Sequence, residues 1–183
     1  MEAWLRLLGI WLAEGSLDKG YYAGISQKAG KDCDTIIQWV KDCGFKPYVN
    51  GPRNDNQMCK IIISSKQLVT YLSQFGYSHD KFIPHDIKQL SPRLLRILLD
   101  AMMLGDGRHE KPNRFSGDYC TVSEQLADDV QEIIFKAGFA STKTPDDMTT
   151  RFGSCRMWIV GINSRRVSDT FCNEHKDQRE WVD

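Results

Sequence analysis

Two apolar runs with helical spacing frame this chain, Leu7-Leu8-Gly9-Ile10-Trp11-Leu12-Ala13-Glu14-Gly15 and Leu99-Asp100-Ala101-Met102-Met103-Leu104-Gly105-Asp106-Gly107, and each ends in a carboxylate followed by glycine. In both, two small residues four apart (Gly9 and Ala13; Ala101 and Gly105) share one helix face, so the two runs are expected to pack closely on each other. After Gly15, Tyr21 to Gln27 reads as a strand, and the Asp18 to Tyr22 region leaves room for another. Cys33, Ile36, Ile37, Val40 and Cys43 form a helical stripe that stops at Gly44. Phe45 to Val49 and Met58 to Ile63 read as strands around the turn Asn50-Gly51-Pro52, and a helix from Lys66 carries Leu68, Leu72 and Phe75 as far as Gly76.

The second half repeats that order. Phe115 to Ser123 reads as a strand, and Leu126, Val130, Ile133, Ile134 and Ala137 form a helical stripe ending at Gly138. Phe139 to Lys143, the turn Pro145-Asp146-Asp147 and the strand Arg156 to Ile162 match the earlier hairpin, and Asn163 is placed to cap a helix running to Phe171. The wording repeats too: Val40-Lys41-Asp42-Cys43-Gly44-Phe45 against Phe135-Lys136-Ala137-Gly138-Phe139, and His79-Asp80-Lys81 against His175-Lys176. Glu14 and Asp106 stand 92 positions apart in 183. The pattern is that of an internal duplication, with residues 1–90 and 91–183 as the halves of one compact α+β unit and the two motif helices at its pseudo-two-fold axis.

The two acids carry chemical information. Each is expected at a helix C-terminus, where the macrodipole disfavours negative charge. Packing the helices side by side adds repulsion between like charges unless a cation is shared. A chain that accepts both penalties at the same motif position in each half points to metal binding.

Composition changes the picture in two ways. The six cysteines (Cys33, Cys43, Cys59, Cys120, Cys155, Cys172) show no C-x-x-C pair and no regular spacing with the four histidines, which argues against zinc and for reduced thiols in an intracellular protein. No run is long enough to span a membrane, and the N-terminal apolar stretch, broken by Arg6 and Glu14, reads as neither signal nor transit peptide. Formal net charge is zero, but segments 19–28, 45–63, 108–123 and 139–162 together hold eleven Lys/Arg against five Asp/Glu, while segments 29–44 and 124–138 are net acidic. A basic sheet backed by acidic helices is a footprint for a phosphate backbone, with Lys28, Lys46, Arg53, Lys60, Lys143, Arg151 and Arg156 as candidate contacts and Arg108, Lys111 and Arg114 beside the second motif. Trp11 reads as core, and His85, His109 and His175 as surface or DNA-proximal residues rather than ligands.

The two runs, with an acid just before the closing glycine, resemble the LAGLIDADG motif, and Lys81-Phe82-Ile83-Pro84 resembles the K-x-I-P segment of the same family. The whole arrangement is similar to the single-chain, two-motif LAGLIDADG (dodecapeptide) homing endonucleases. Glu14 stands where aspartate is usual, an accepted variant, and Ala101 stands where glycine is usual. The resemblance implies αββαββα halves with two saddle-shaped antiparallel sheets, and a monomer that cuts both strands of a long duplex DNA site, leaving short 3′ overhangs. By the same resemblance Glu14 and Asp106 coordinate Mg²⁺, or another divalent cation such as Mn²⁺ or Ca²⁺, each acid serving one strand. Lys81 matches the family's basic residue near the active centre, with Lys176 as its repeat partner. Gln27 resembles a polar residue that orders water beside a metal, with Ser123 or Glu124 in the corresponding zone of the other half. Without the resemblance, Lys81 reads as a loop charge before Pro84 and Gln27 as a solvated strand residue. No Ser-His-Asp or Cys-His arrangement suggests a protein nucleophile, which leaves a metal-activated water for the hydrolysis. Two alternatives remain: a non-cleaving binder on the same fold, such as an RNA maturase or a transcription factor, and the endonuclease part of an intein.

Overall fold

A computed structural model describes residues 1–18, 21–52, 57–109, 117–150 and 153–166. Helix α1 (Glu2–Glu14) turns directly into strand β1 (Gly15–Asp18), and β2 (Tyr22–Lys28), α2 (Lys31–Asp42), β3 (Pro47–Asn50), β4 (Met58–Ile63) and α3 (Lys66–Leu72) follow. A short helix α4 (His85–Lys88) leads into α5 (Pro92–Asp106), which turns directly into β5 (Gly107–His109), and β6 (Gly117–Thr121), α6 (Glu124–Lys136), β7 (Phe139–Thr150) and β8 (Gly153–Arg166) complete the described chain. The strands form two four-stranded antiparallel sheets of the same order, β1-β2-β4-β3 and β5-β6-β8-β7. The fold is the duplicated α+β architecture that the sequence pattern predicts.

The motif helices α1 and α5 pack along one another, and their small residues are what permits it. A Cβ built on Gly9 would lie 2.7 Å from Leu98 O and 2.9 Å from Ala101 Cβ, and one built on Gly105 would lie 2.6 Å from Ala13 Cβ. The pairs are therefore Gly9 on Ala101 and Ala13 on Gly105, as the four-residue spacing predicts. The closing glycines answer to a different constraint. Gly15 and Gly107 have ordinary extended backbones (φ −81° and −90°), but a Cβ would come within 2.2 Å of Trp11 O in one and 2.4 Å of Met103 O in the other. Each motif ends in glycine because the strand leaves the helix along its own last turn, with no room for a side chain.

One continuous core lies beneath the sheets. Ala23 and Ile25 of β2 and Ile61 and Ile63 of β4 share it with Leu8, Trp11 and Leu12 of α1, as do Tyr119, Val160 and Ile162 of the second sheet with Leu98, Met102 and Ile133 of the helices. Trp11 is core, as expected, at 1% exposure.

Two local expectations fail. Pro145-Asp146-Asp147 is no turn: β7 runs through it to Thr150, which pairs with Gly153. Proline is tolerated there because β7 is the edge strand of its sheet. Asn163 does not start a helix; it pairs with Ala140, and β8 continues to Arg166 past an irregularity at Phe139/Ala140. Residues 167–171 of that expected helix lie outside the described residues. Strand β5 and the short α4 are additions that the pattern did not reveal.

Candidate active site between the motif helices

Glu14 and Asp106 are the last residues of α1 and α5, half-buried where the two helices meet. An ideal Cβ on Gly105 lies 3.0 Å from Glu14 Cγ, so the Glu14 side chain crosses the partner helix one residue before Asp106. Burial, and then the charge of Glu14, push the Asp106 carboxyl up to about 7, and the Lys81 ammonium only partly offsets them. Burial also raises Glu14, again opposed by Lys81. Two desolvated acids that resist joint ionisation form a site that a cation would complete.

Among the described residues no group of three or more His, Cys, Asp or Glu gathers as a metal cage. Two carboxylates still fit a hard divalent ion such as Mg²⁺, which commonly binds one or two protein carboxylates and takes its remaining ligands from water and phosphate. Zinc, which prefers nitrogen and sulfur donors, does not match this set. The five cysteines within the described residues are free thiols.

Lys81 is placed by the fold beside both acids, with a further commitment. It is 5% exposed, and its Nζ donates to Trp11 O (3.0 Å), Leu12 O (2.9 Å) and Gly15 O (2.9 Å), with the Trp11 ring centroid 4.8 Å away. Neither motif helix has a basic residue in its own last turn, so for α1 the stabilising cation comes from the segment between α3 and α4. Burial lowers the Lys81 ammonium to about 8, while Asp106 and Glu14 draw it upward. A cleft of about 210 Å³ opens beside it, lined by Ala13, Ser78, Lys81, Asp106, Cys120 and Thr121 among others. A second hollow of about 170 Å³, lined by Gly15, Ser16, Ser78 and Lys81 among others, flanks the lysine on the β1 side. Lys176, its expected repeat partner, lies outside the described residues.

Strand register corrects the expected pairing of polar residues. Gly15 faces Ile25 and Gly107 faces Tyr119, so Gln27 corresponds to Thr121, neither to Ser123 nor to Glu124. Thr121 lines the cleft with Asp106, and its Oγ1 accepts from Ser123 N at 3.2 Å. Ser123 is fully buried at the N-cap of α6, and Glu124 faces Lys143. Gln27 is half-buried at the end of β2 and accepts from its own neighbour Lys28 N at 2.8 Å.

Tyr119, missed in the sequence, is the structural counterpart of Ile25. It is 1% exposed and its hydroxyl has no partner, while the nearby charges of Asp106 and Glu14 reinforce the effect of burial and hold the phenol in its neutral form. Its signal was a lone aromatic in an otherwise small and polar strand.

The basic candidates divide by sheet face. In the first sheet Lys28 and Lys60 share the open face with Ser26, Tyr48 and Asn50, opposite the buried Ile25 and Ile61, and Lys60 Nζ sits 5.2 Å from the Tyr22 ring centroid. Lys46 is exposed in the connection before β3. In the second sheet exposed Arg108 pairs with Asp118 on the open face. Lys143 and Arg156 are corrections: Lys143 pairs with buried Val160, and Arg156 lies four residues from it, so both take the helix side. There Lys143 meets Asp128 and Glu124 of α6 and the Trp158 ring, and Arg156 forms two hydrogen bonds with Asp147 (2.9 and 3.3 Å). Counting charge by strand merges two faces that the pleat separates, and here Lys143 answers the acidic helix while Arg156 answers Asp147 on the neighbouring strand. Arg53, Arg114 and Arg151, like Lys111, lie outside the described residues.

Comparison with solved structures finds parallels to this fold. The chain superposes on I-DmoI in complex with DNA and Mn with a TM-score of 0.61 and 16% identity, covering 94% of each chain. It also matches the N-terminal LAGLIDADG domain of DUF199/WhiA, with a TM-score of 0.55 and 13% identity, covering 97% of this chain and 84% of that one. The fold is thus the LAGLIDADG fold in its two-motif, single-chain form. No family model matches the sequence. Among curated proteins the chain is 30% identical over 156 residues to an ATP-dependent Clp protease proteolytic subunit of Chlamydomonas moewusii, a match that covers 78% of this chain but only 15% of that protein.

Proposed function

We propose that this chain, built on the two-motif LAGLIDADG fold, is a site-specific homing endonuclease that makes a metal-dependent double-strand break in duplex DNA. One observation carries the reading: partly buried acids from two equivalent helix ends come together where the motif helices meet, Asp106 opening into a cleft beside Lys81, and without a cation burial and mutual repulsion disfavour their charged forms. Glu14 and Asp106 would hold the divalent ion. Bound there, the ion supplies a Lewis acid at the phosphate and a water made nucleophilic at neutral pH.

The remaining work falls to the chain itself. The cleft beside Asp106 and Lys81 gives room for a phosphate, and Thr121 and Gln27 offer hydrogen-bonding groups at matching register positions. Lys81 contributes a fixed positive charge beside the acids, which favours the negative charge that develops at a phosphate under attack. Duplex DNA would lie across the open faces of the two sheets, with Lys28, Lys60 and Arg108 meeting phosphates or base edges. Similarity to I-DmoI, whose structures hold DNA with Mn or Ca, supports a DNA partner and a divalent cation. The protein would act as a monomer on a long site, because the duplication already supplies both half-sites.

In the Clp relative the matching segment is a small part of a longer polypeptide, which supports a unit that can be carried within a host protein; the proteolysis in that relative's name is not transferred to this chain. A second reading, a LAGLIDADG protein that binds nucleic acid without cutting, draws on the likeness to WhiA. Incubating the protein with a randomised duplex library and Mg²⁺ or Mn²⁺ decides between them. The nuclease reading expects cut products from wild type and far fewer, by about a hundredfold or more, from Glu14→Gln or Asp106→Asn. Tight binding with no cut product under either metal selects the second reading.

A further inference from the structure

We infer that Ser123, at the N-cap of α6, is a positioning residue for Glu14 and acts through Lys81. Ser123 is fully buried, and its Oγ does two things at once: it accepts from Leu126 N (3.1 Å), closing the first turn of α6, and donates to the main-chain carbonyl of Lys81 (2.7 Å). The Lys81 side chain then reaches the end of α1, where its ammonium meets three carbonyls, those of Trp11, Leu12 and Gly15. An ammonium has three protons, and all three are committed. Lys81 therefore has no donor left for a phosphate in this geometry: it acts there through its charge alone, while its hydrogen bonds hold the end of α1.

The consequence falls on Glu14. Two of the carbonyls that Lys81 grips, Leu12 and Gly15, bracket Glu14 in the chain, and the Gly15 N–H closes onto Trp11 O, the third. A carboxylate must lie within a few tenths of an ångström of its place to share a metal with a partner on another helix. The last turn that carries it is fixed from outside, by a residue whose own backbone is fixed from the second half. A second anchor supports the first: buried Asp129 of α6 accepts from Ile83 N (2.7 Å) and from Lys88 Nζ (2.7 Å), so the segment after Lys81 is also tied to α6.

The device has no counterpart at the matching place in the first half. Helix α2 starts at Gly30 (φ 135°), with no side-chain cap. Among the described residues the device reaches only the Glu14 end; Lys176, the expected counterpart of Lys81, lies outside them. The importance of this for cleavage rests on the nuclease reading above, but the linkage itself does not.

The linkage is tested by hydrogen exchange at the amides of Ala13, Glu14 and Gly15, with Mn²⁺ affinity measured on the same samples. Ser65→Ala is the control, because Ser65 caps α3 in the same manner (Leu68 N to Oγ, 3.3 Å) without touching Lys81. Ser123→Ala and Lys81→Met are expected to speed exchange at those three amides by about tenfold or more, while the first turns of α1 keep their protection. Ser123→Thr, which keeps the hydroxyl, should restore the protection and the wild-type Mn²⁺ affinity, which Ser123→Ala lowers several-fold. If exchange at Ala13–Gly15 in Ser123→Ala rises no further than in Ser65→Ala, the linkage is wrong. If the exchange pattern appears but wild type binds no Mn²⁺, the linkage stands and the nuclease reading falls.

Discussion

The two helix ends that meet at the centre of this protein share a backbone and differ in almost everything else. Both α1 and α5 end in an acid, both turn into a strand at a glycine with no room for Cβ, and both lead into sheets of the same order. At the α1 end the last carbonyls are gripped by Lys81, and the facing strand residue is apolar Ile25. At the α5 end the facing residue is Tyr119, with a buried hydroxyl lacking a partner, and Asp106 is the more strongly perturbed acid. Duplication conserves what packing dictates, and it leaves the chemistry of each end free to diverge.

The comparison is broken most severely where the backbone is symmetric. Gly9→Val and Gly105→Val each drive a side chain into the opposite helix, against Leu98 O in the first case. Each should cost about 3 kcal/mol or more in chemical denaturation, by overpacking a contact that cannot relax. If one costs much less than the other, the helix pair is less symmetric than its spacing indicates.

A smaller effect separates the two acids. The Asp106 carboxyl lies at about 7 in the fold against an ordinary 3.8, so between those values the folded protein holds more proton than the unfolded chain. Stability of the metal-free protein should therefore fall as pH rises from 4 to 7 and level off above. Asp106→Asn removes that loss, stabilising the metal-free protein by on the order of 1–2 kcal/mol at pH 8, after discounting for solvent, and by nothing near pH 4. Glu14→Gln should show the same sign with a smaller amplitude. Thermal melts of the three proteins across pH check both, and equal amplitudes would remove the electrostatic distinction.

Smaller still are the changes on the sheets. Lys60→Ala should flatten the salt dependence of DNA binding by about one counterion, whereas Lys143→Ala, on the helix face, should leave it unaltered. Equal slopes for the two variants would undo the assignment of faces. Tyr119→Phe should be neutral or stabilising by up to about 1 kcal/mol without metal, since it removes a buried hydroxyl that has no partner.

What the sequence revealed follows from what is local. Helical spacing at Gly9, Ala13, Ala101 and Gly105 was enough to pair the motif helices and bring Glu14 to Asp106, because both facts depend on a few adjacent turns. The equivalence of Gln27 and Thr121 was hidden: the motifs are 92 residues apart, but ten positions separate Gly15 from its strand partner Ile25, and twelve separate Gly107 from Tyr119. Two extra residues in one connection shift every later correspondence. The faces of Lys143 and Arg156 were illegible for a related reason, since β7 and β8 extend well past the turn that Pro145 suggested. The grip of Lys81 on α1 is long-range, across 66 to 70 positions, and no local pattern announces it.

The most direct test follows both strands of a selected duplex in single-turnover cleavage with Mg²⁺, using wild type, Glu14→Gln and Asp106→Asn. If the acids form one site with two unlike ends, wild type nicks the two strands at different rates, and each substitution slows cutting by about a hundredfold or more. Cleavage of either strand at the wild-type rate in both variants would contradict the account.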